Sequence, residues 1–213
     1  VIGMFFFGWA VLCEKFAVGN VCYALIGAAI PLMISGGFHV DGYMDTMDAF
    51  HSYQSREKKL EILKDSHIGA FAAIMLALYY MIDIAAISEI HTQKAVSALA
   101  AVFFLARCFS GIAVMTLQPA KKEGLLYTFA SSAQKVRVKA ALYFQAALCV
   151  AIMLLVSGWY GAAAIGAALL SFFYFKKKSY KELGGITGDT AGFFVTVCEA
   201  AAAAAVAVAG YFL

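Results

Sequence analysis

Gly36-Gly37-Phe38-His39-Val40-Asp41-Gly42-Tyr43-Met44-Asp45-Thr46-Met47-Asp48 sets three carboxylates within eight residues of an otherwise apolar chain. In a helix, steps of four and seven residues put Asp41, Asp45 and Asp48 on one face. With about 6 Å between neighbours and an effective dielectric of about 20, each unrelieved pair costs on the order of 3 kcal/mol. A bound cation relieves that repulsion, and Mg2+, which binds through carboxylates and substrate phosphates, suits the set. The helix dipole also favours acids in a first turn, but that accounts for one or two of them, not three in register. Gly42 removes a side chain beside Asp41, so a phosphate or metal can approach the backbone.

Outward from this stretch the chain is apolar. Of 213 residues, 63% are hydrophobic and only 14% charged, with a mean hydropathy of +0.83. No soluble domain of this length needs so much apolar surface, so the fold class is all-α, a polytopic transmembrane helical bundle forming one domain over residues 1–213. The net charge of +3 is too small to argue for a nucleic-acid partner. Cys13, Cys22, Cys108, Cys149 and Cys198 lie in apolar stretches without metal spacing and read as small hydrophobes.

About seven spans are expected. Val1–Leu12 is too short to cross alone and reads as the tail of a first span that begins earlier. Val21–Ile34, with Pro31 as a possible kink, Ile68–Ile87, Ala95–Leu117, Ala140–Val156, Trp159–Phe175 and the alanine-rich Ala191–Leu213 follow. Thirteen of the sixteen lysines and arginines fall in three connections, His51–Asp65, Gln118–Lys139 and Lys176–Thr190. With seven spans all three lie on one side, which the positive-inside rule makes the cytoplasm of a cell membrane. The acidic stretch and the glycine-rich Gly184–Gly192 share that side.

Four constellations can carry chemistry. Around the aspartates stand His39, His51 and His67, suited to a general base rather than to zinc, since no two histidines are four apart. Next, Lys64-Asp65-Ser66 opens the third span: Lys64 can neutralise a phosphate or anchor at the interface, and Ser66 can cap the helix. In Gly184-Gly185-Ile186-Thr187-Gly188-Asp189-Thr190, the turn at Gly188 and Thr190 offers backbone N–H groups to an anion, and Asp189 is a cap or a further metal ligand. Last, Arg107 and Glu199 lie some 13–17 Å deep at roughly 1.5 Å per residue and should pair or line a common polar cavity. Asp83 lies near the opposite end of its span, within snorkelling reach of water. Lys121 and Lys122 would attract an anionic substrate or lipid heads.

These residues together resemble the cobalamin synthase family, adenosylcobinamide-GDP ribazoletransferase. The likeness rests on GGFHVDGYMDTMDAF, REKKLEILKDSHIGAFA, LARCFSG followed by QPAKKEGL, and GGITGDTAG, in order from Ser35 to about Glu199. The family's usual leucine after the double glycine is Phe38 here, and its usual arginine after Lys-Asp-Ser is His67. The resemblance implies that a hydroxyl of alpha-ribazole, free or as its 5′-phosphate, attacks the cobinamide-linked phosphate of adenosylcobinamide-GDP and releases GMP. It implies Mg2+ held by Asp41, Asp45 and Asp48, Lys64 on phosphate, Asp65 and Asp189 completing the polar site, and His39 as the candidate base. Gly42, Ser66, Arg107, Lys121, Gly188 and Thr190 are candidate substrate contacts. A homo-oligomer is open.

Two other readings compete. CDP-alcohol phosphatidyltransferases also carry a DGxxAR-type acidic motif in a membrane, but Asp45-Thr46 stands where that family has Ala-Arg. A cation or proton transporter would use Asp83, Arg107 and Glu199 near the midplane. The concentration of acids at one face favours an enzyme at the interface.

Overall fold

The computed structural model describes residues 1–121 and 135–212. Within them the chain is helical: α1 (Ile2–Phe16), α2 (Asn20–Ser35), α3 (Phe38–His51), α4 (Arg56–Ile62), α5 (Ala70–Ile87), α6 (Gln93–Thr116), α7 (Lys135–Ser157), α8 (Trp159–Leu183) and α9 (Gly188–Gly210). No strand forms among the described residues; a single parallel bridge joins Pro119 to Ile186. Lys122 and the rest of residues 122–134 lie outside this description.

The bundle is arranged around α9. Its small side chains let α3, α5, α6 and α8 all pack against it. Ala202 and Ala203 are fully buried, as are Phe193 and Phe194. The Phe194 ring meets Phe172 and Phe175 of α8, and Phe193 stacks on Tyr43 of α3. The other long helices pack outside: α7 on α6 and α8, and α1 on α6 and α2.

Among the described residues four helices are long and apolar enough to cross a membrane: α5, α6, α7 from Val136, and α9. The chain is therefore a multi-pass membrane protein. A fifth crossing exists if α2 and α3, bent by 96° at their junction, count as one broken span. The seven expected segments all fall on helices, but three miss that standard. The 15 residues of α1 and 16 of α2 give roughly 22–24 Å at 1.5 Å per residue, short of the ~30 Å hydrocarbon layer. In α8 the apolar run stops at Phe175, before Lys176, Lys177 and Lys178. The count of about seven is thus not established.

The sharp bend falls at Gly36-Gly37, not at Pro31, which sits inside α2. Both glycines take left-handed backbone, φ 65° and 82°, a conformation that costs glycine little. That double turn sends α3 off at nearly a right angle to α2.

Candidate active site

The helix α3 forms as its sequence requires, and its three aspartates share the less buried face. Asp41 and Asp45 line a cavity of about 370 Å³ with Met44, and the opposite wall is Leu63, Lys64, Asp65 and Ser66. Asp41, Asp189 and Asp48 all act electrostatically on Asp45. The repulsion anticipated from the register is therefore present, with a fourth carboxylate added from α9.

Asp48 has a different role from the other two. Its Oδ2 accepts the Gly69 N–H at 2.7 Å and its Oδ1 the Ala72 N–H at 2.8 Å. Those amides open α5, so Asp48 caps that helix from a distance, and Ser66 does not cap it. A Cβ on Gly69 would stand 2.5 Å from Asp48 Oδ1, so glycine is needed for the carboxylate to reach the amides. Among the described residues no group of three or more His, Cys, Asp or Glu side chains is arranged to hold a metal ion. Two carboxylates facing one cavity, Asp41 and Asp45, still fit Mg2+, which takes one or two carboxylates and fills its other positions with water and phosphate oxygens.

The cap predicts a measurable cost. Asp48→Ala should leave two helix-start amides unsatisfied and lower stability by about 1–2 kcal/mol. Asp48→Asn should lose less, because its side-chain carbonyl still accepts one bond. Thermal unfolding in detergent checks both.

Next to Asp41 in sequence, at Gly42, α3 crosses the start of α9 closely. A Cβ on Gly42 would lie 2.8 Å from the Asp189 carbonyl oxygen and 3.0 Å from its Cα. Gly42 thus serves helix contact, and the space that its missing side chain leaves is filled by backbone of α9. Thr187, not Asp189, caps α9: its side chain accepts from the Thr190 N–H, and Thr190 Oγ1 accepts from the Thr187 N–H. Thr190 is fully buried and spent in this capping box, whereas Gly188 is exposed and Asp189 half-buried. Asp189 feels the charges of Asp41 and Lys121. Lys121 also donates to the Leu60 carbonyl of α4 at 2.8 Å.

Lys64, Asp65 and Ser66 are exposed. His67 donates from its backbone to Asp65 Oδ1 at 3.1 Å, and its Nδ1 lies 2.6 Å from the same oxygen. The side-chain bond holds the Asp65 carboxyl below the usual carboxylate range and raises His67.

His39 and Arg107 stand apart from this cavity. His39 lines a groove of about 980 Å³ between α1, α3 and α6, on the far side of α3 from the aspartates, with Arg107 in the same wall. A base beside Asp41 is thus not what His39 provides here. Arg107 forms the expected pair with Glu199, Nη1 to Oε1 at 2.5 Å, and donates also to the Phe103 carbonyl. Asp83 does not reach water as expected: it is buried, 5% exposed, and faces Glu199 electrostatically. Sequence reasoning also missed the apolar part of the cavity wall, Met44, Leu63, Ile68 and Ala72.

A family profile described as Cobalamin-5-phosphate synthase matches residues 1–207. The chain is similar to an adenosylcobinamide-GDP ribazoletransferase of Lachnoclostridium phytofermentans, 41% identical over 98% of this chain and 80% of the relative. A protein of the same name from Clostridium botulinum is 30% identical over 93% of this chain and 79% of the relative. One from Escherichia coli is 29% identical over 83% and 71%. No solved structure matches.

Proposed function

Because the chain belongs to the cobalamin-5-phosphate synthase family, and is a transferase by that membership, we propose that it joins adenosylcobinamide-GDP to alpha-ribazole, or to its 5′-phosphate, at the cytoplasmic mouth of the bundle. The observation that carries the reading is the single cavity that sets Asp41 and Asp45 opposite Lys64, Asp65 and Ser66. Phosphoryl transfer asks little covalent chemistry of a protein. It asks for positioning and for charge placed against phosphate oxygens. Opposite charges on facing walls of one cavity meet that demand.

Asp41 and Asp45 would hold Mg2+, which supplies charge neutralisation on the phosphates when bound. Lys64 places its ammonium on a phosphate at the other wall. Asp189, half-buried at the start of α9, adds negative charge beside Asp45 and so favours a cation on that side. The hydroxyl oxygen of the alpha-ribazole bonds to the cobinamide-linked phosphorus as the bond to the bridging oxygen breaks, and GMP leaves. The hydroxyl proton passes to a carboxylate of the cavity. Basic residues on the connections support a cytoplasmic orientation of this face, near anionic lipid heads.

The test is release of GMP by the purified, reconstituted protein given adenosylcobinamide-GDP and alpha-ribazole. Release that needs Mg2+ and stops on chelation is the expected result. Absence of release with either form of alpha-ribazole, under conditions where a ribazoletransferase relative is active, would reject the reading.

A further inference from the structure

The wall that carries Lys64, Asp65 and Ser66 is held at a few points, among them buried Leu63 and the Lys121 bond to the Leu60 carbonyl. These three side chains are exposed, and α4 before them has only seven residues. Helices that short are not stable by themselves and take their position from tertiary contacts. One end of the wall is tied by Asp48, through the Gly69 and Ala72 amides. The other end carries, besides the Lys121 bond to the Leu60 carbonyl, an ion pair of a lysine that the proposed reaction does not use.

Lys59 lies in α4 and is buried, 7% exposed. Lysine is seldom buried unless paired. Its Nζ lies 2.5 Å from Glu182 Oε2, in the last turn of α8. Glu182 is shared, since its Oε1 also pairs with Lys178 at 3.1 Å. The residues after Glu182 lead through Gly184 into Thr187 and the start of α9, which carries Asp189, a carboxylate that acts electrostatically on Asp45. Lys59 is followed within six residues by Leu63, Lys64 and Asp65, whose amides bond back to Lys59, Glu61 and Ile62. One ion pair therefore joins the two segments that lead into opposite parts of the site.

We infer that the Lys59–Glu182 pair is a positioning device: it fixes the α4 end of the cavity wall, and so sets where Lys64 meets a substrate phosphate. This rests on the proposed reading of the cavity as the transferase site. Asp41 and Asp45 ride on α3, which α5 and α9 hold, so loss of the pair displaces the phosphate-facing wall and leaves the acidic wall in place. The expected signature is weaker substrate binding with the chemical step retained.

The experiment compares Lys59→Met, Lys59→Arg and Lys178→Met in reconstituted protein. Lys59→Met leaves Glu182 neutralised by Lys178, so no buried charge is stranded. It should raise KM for adenosylcobinamide-GDP about tenfold, the loss of roughly one charge-assisted contact, with kcat within about twofold. Lys59→Arg should restore most of the KM, and Lys178→Met should leave it unchanged. Hydrogen exchange at the Leu63, Lys64 and Asp65 amides should quicken in Lys59→Met while α9 stays protected. Loss of protection in α9 as well would show a general loosening of the bundle and would also overturn the inference. An unchanged KM, an equal rise in Lys178→Met, or unaltered exchange at those amides would overturn the inference. Failure of the functional reading looks different: the unmodified protein would then release no GMP, and the exchange result would still report the tie.

Discussion

Asp45→Asn should reduce Mg2+-dependent GMP release by about a thousandfold, the scale on which removal of one preorganised electrostatic contact acts. The same change should leave the protein in the membrane and no less stable than its parent without Mg2+. The reason is the charge at this point of the fold: Asp41, Asp48 and Asp189 all act on Asp45. Removing one of several like charges relieves repulsion in the metal-free protein. Stability and activity should thus move in different directions, which a purely structural aspartate would not allow. Paired measurements of GMP release and thermal unfolding in chelator decide it. Full activity in Asp45→Asn would reject the metal role, and a large loss of stability would make the residue structural.

Gly42→Val should be the most damaging single change to the scaffold behind the site. Its Cβ would stand 2.8 Å from the Asp189 carbonyl oxygen and 3.0 Å from Asp189 Cα. Those are backbone atoms of α9, which is packed on four sides, so they cannot swing aside as a flexible side chain would. Intrinsic helix propensity acts the other way and favours leaving glycine by up to about 1 kcal/mol. Overpacking at such a contact costs about 1–3 kcal/mol, and each kcal/mol moves Tm by about 2–4 °C in a chain of this size. Net destabilisation together with loss of GMP release is expected, because α3 carries Asp41 and Asp45. Gly166→Ala is the control: nothing stands within 4 Å of a Cβ there, and the change should be neutral or stabilising. Equal effects of the two substitutions would show that the close crossing of α3 and α9 is not what Gly42 provides.

Much of this was legible in the order of residues, for reasons that differ by element. Apolar runs marked every long helix, because the demand for burial or lipid contact is written in composition. The shared face of Asp41, Asp45 and Asp48 followed from helical periodicity alone. The pairing of Arg107 with Glu199 followed from depth, since neither charge is tolerable alone in an apolar interior. What failed were roles that depend on a distant partner. Asp48 reads as a ligand until the Gly69 and Ala72 amides, more than twenty residues away, are seen on its oxygens. Lys59 and Glu182 are 123 residues apart, and nothing local announces their bond. His39 is a different kind of miss. It is two residues from Asp41, but two helical steps turn a side chain by about 200°, so closeness in sequence put it on the opposite side of α3. The bend at Gly36-Gly37 was visible as a glycine pair, yet its 96° angle depends on the packing of α3 against α5 and α9.

The acidic wall as a binding place for a divalent ion is the claim on which the rest depends, and Mn2+ in place of Mg2+ tests it most directly. Anomalous difference density from crystals of the protein grown with Mn2+ and GDP should show one peak in the cavity, about 2.2 Å from carboxylate oxygens of both Asp41 and Asp45, and lost in Asp45→Asn. A peak bound elsewhere, or no peak at saturating Mn2+, would contradict the account.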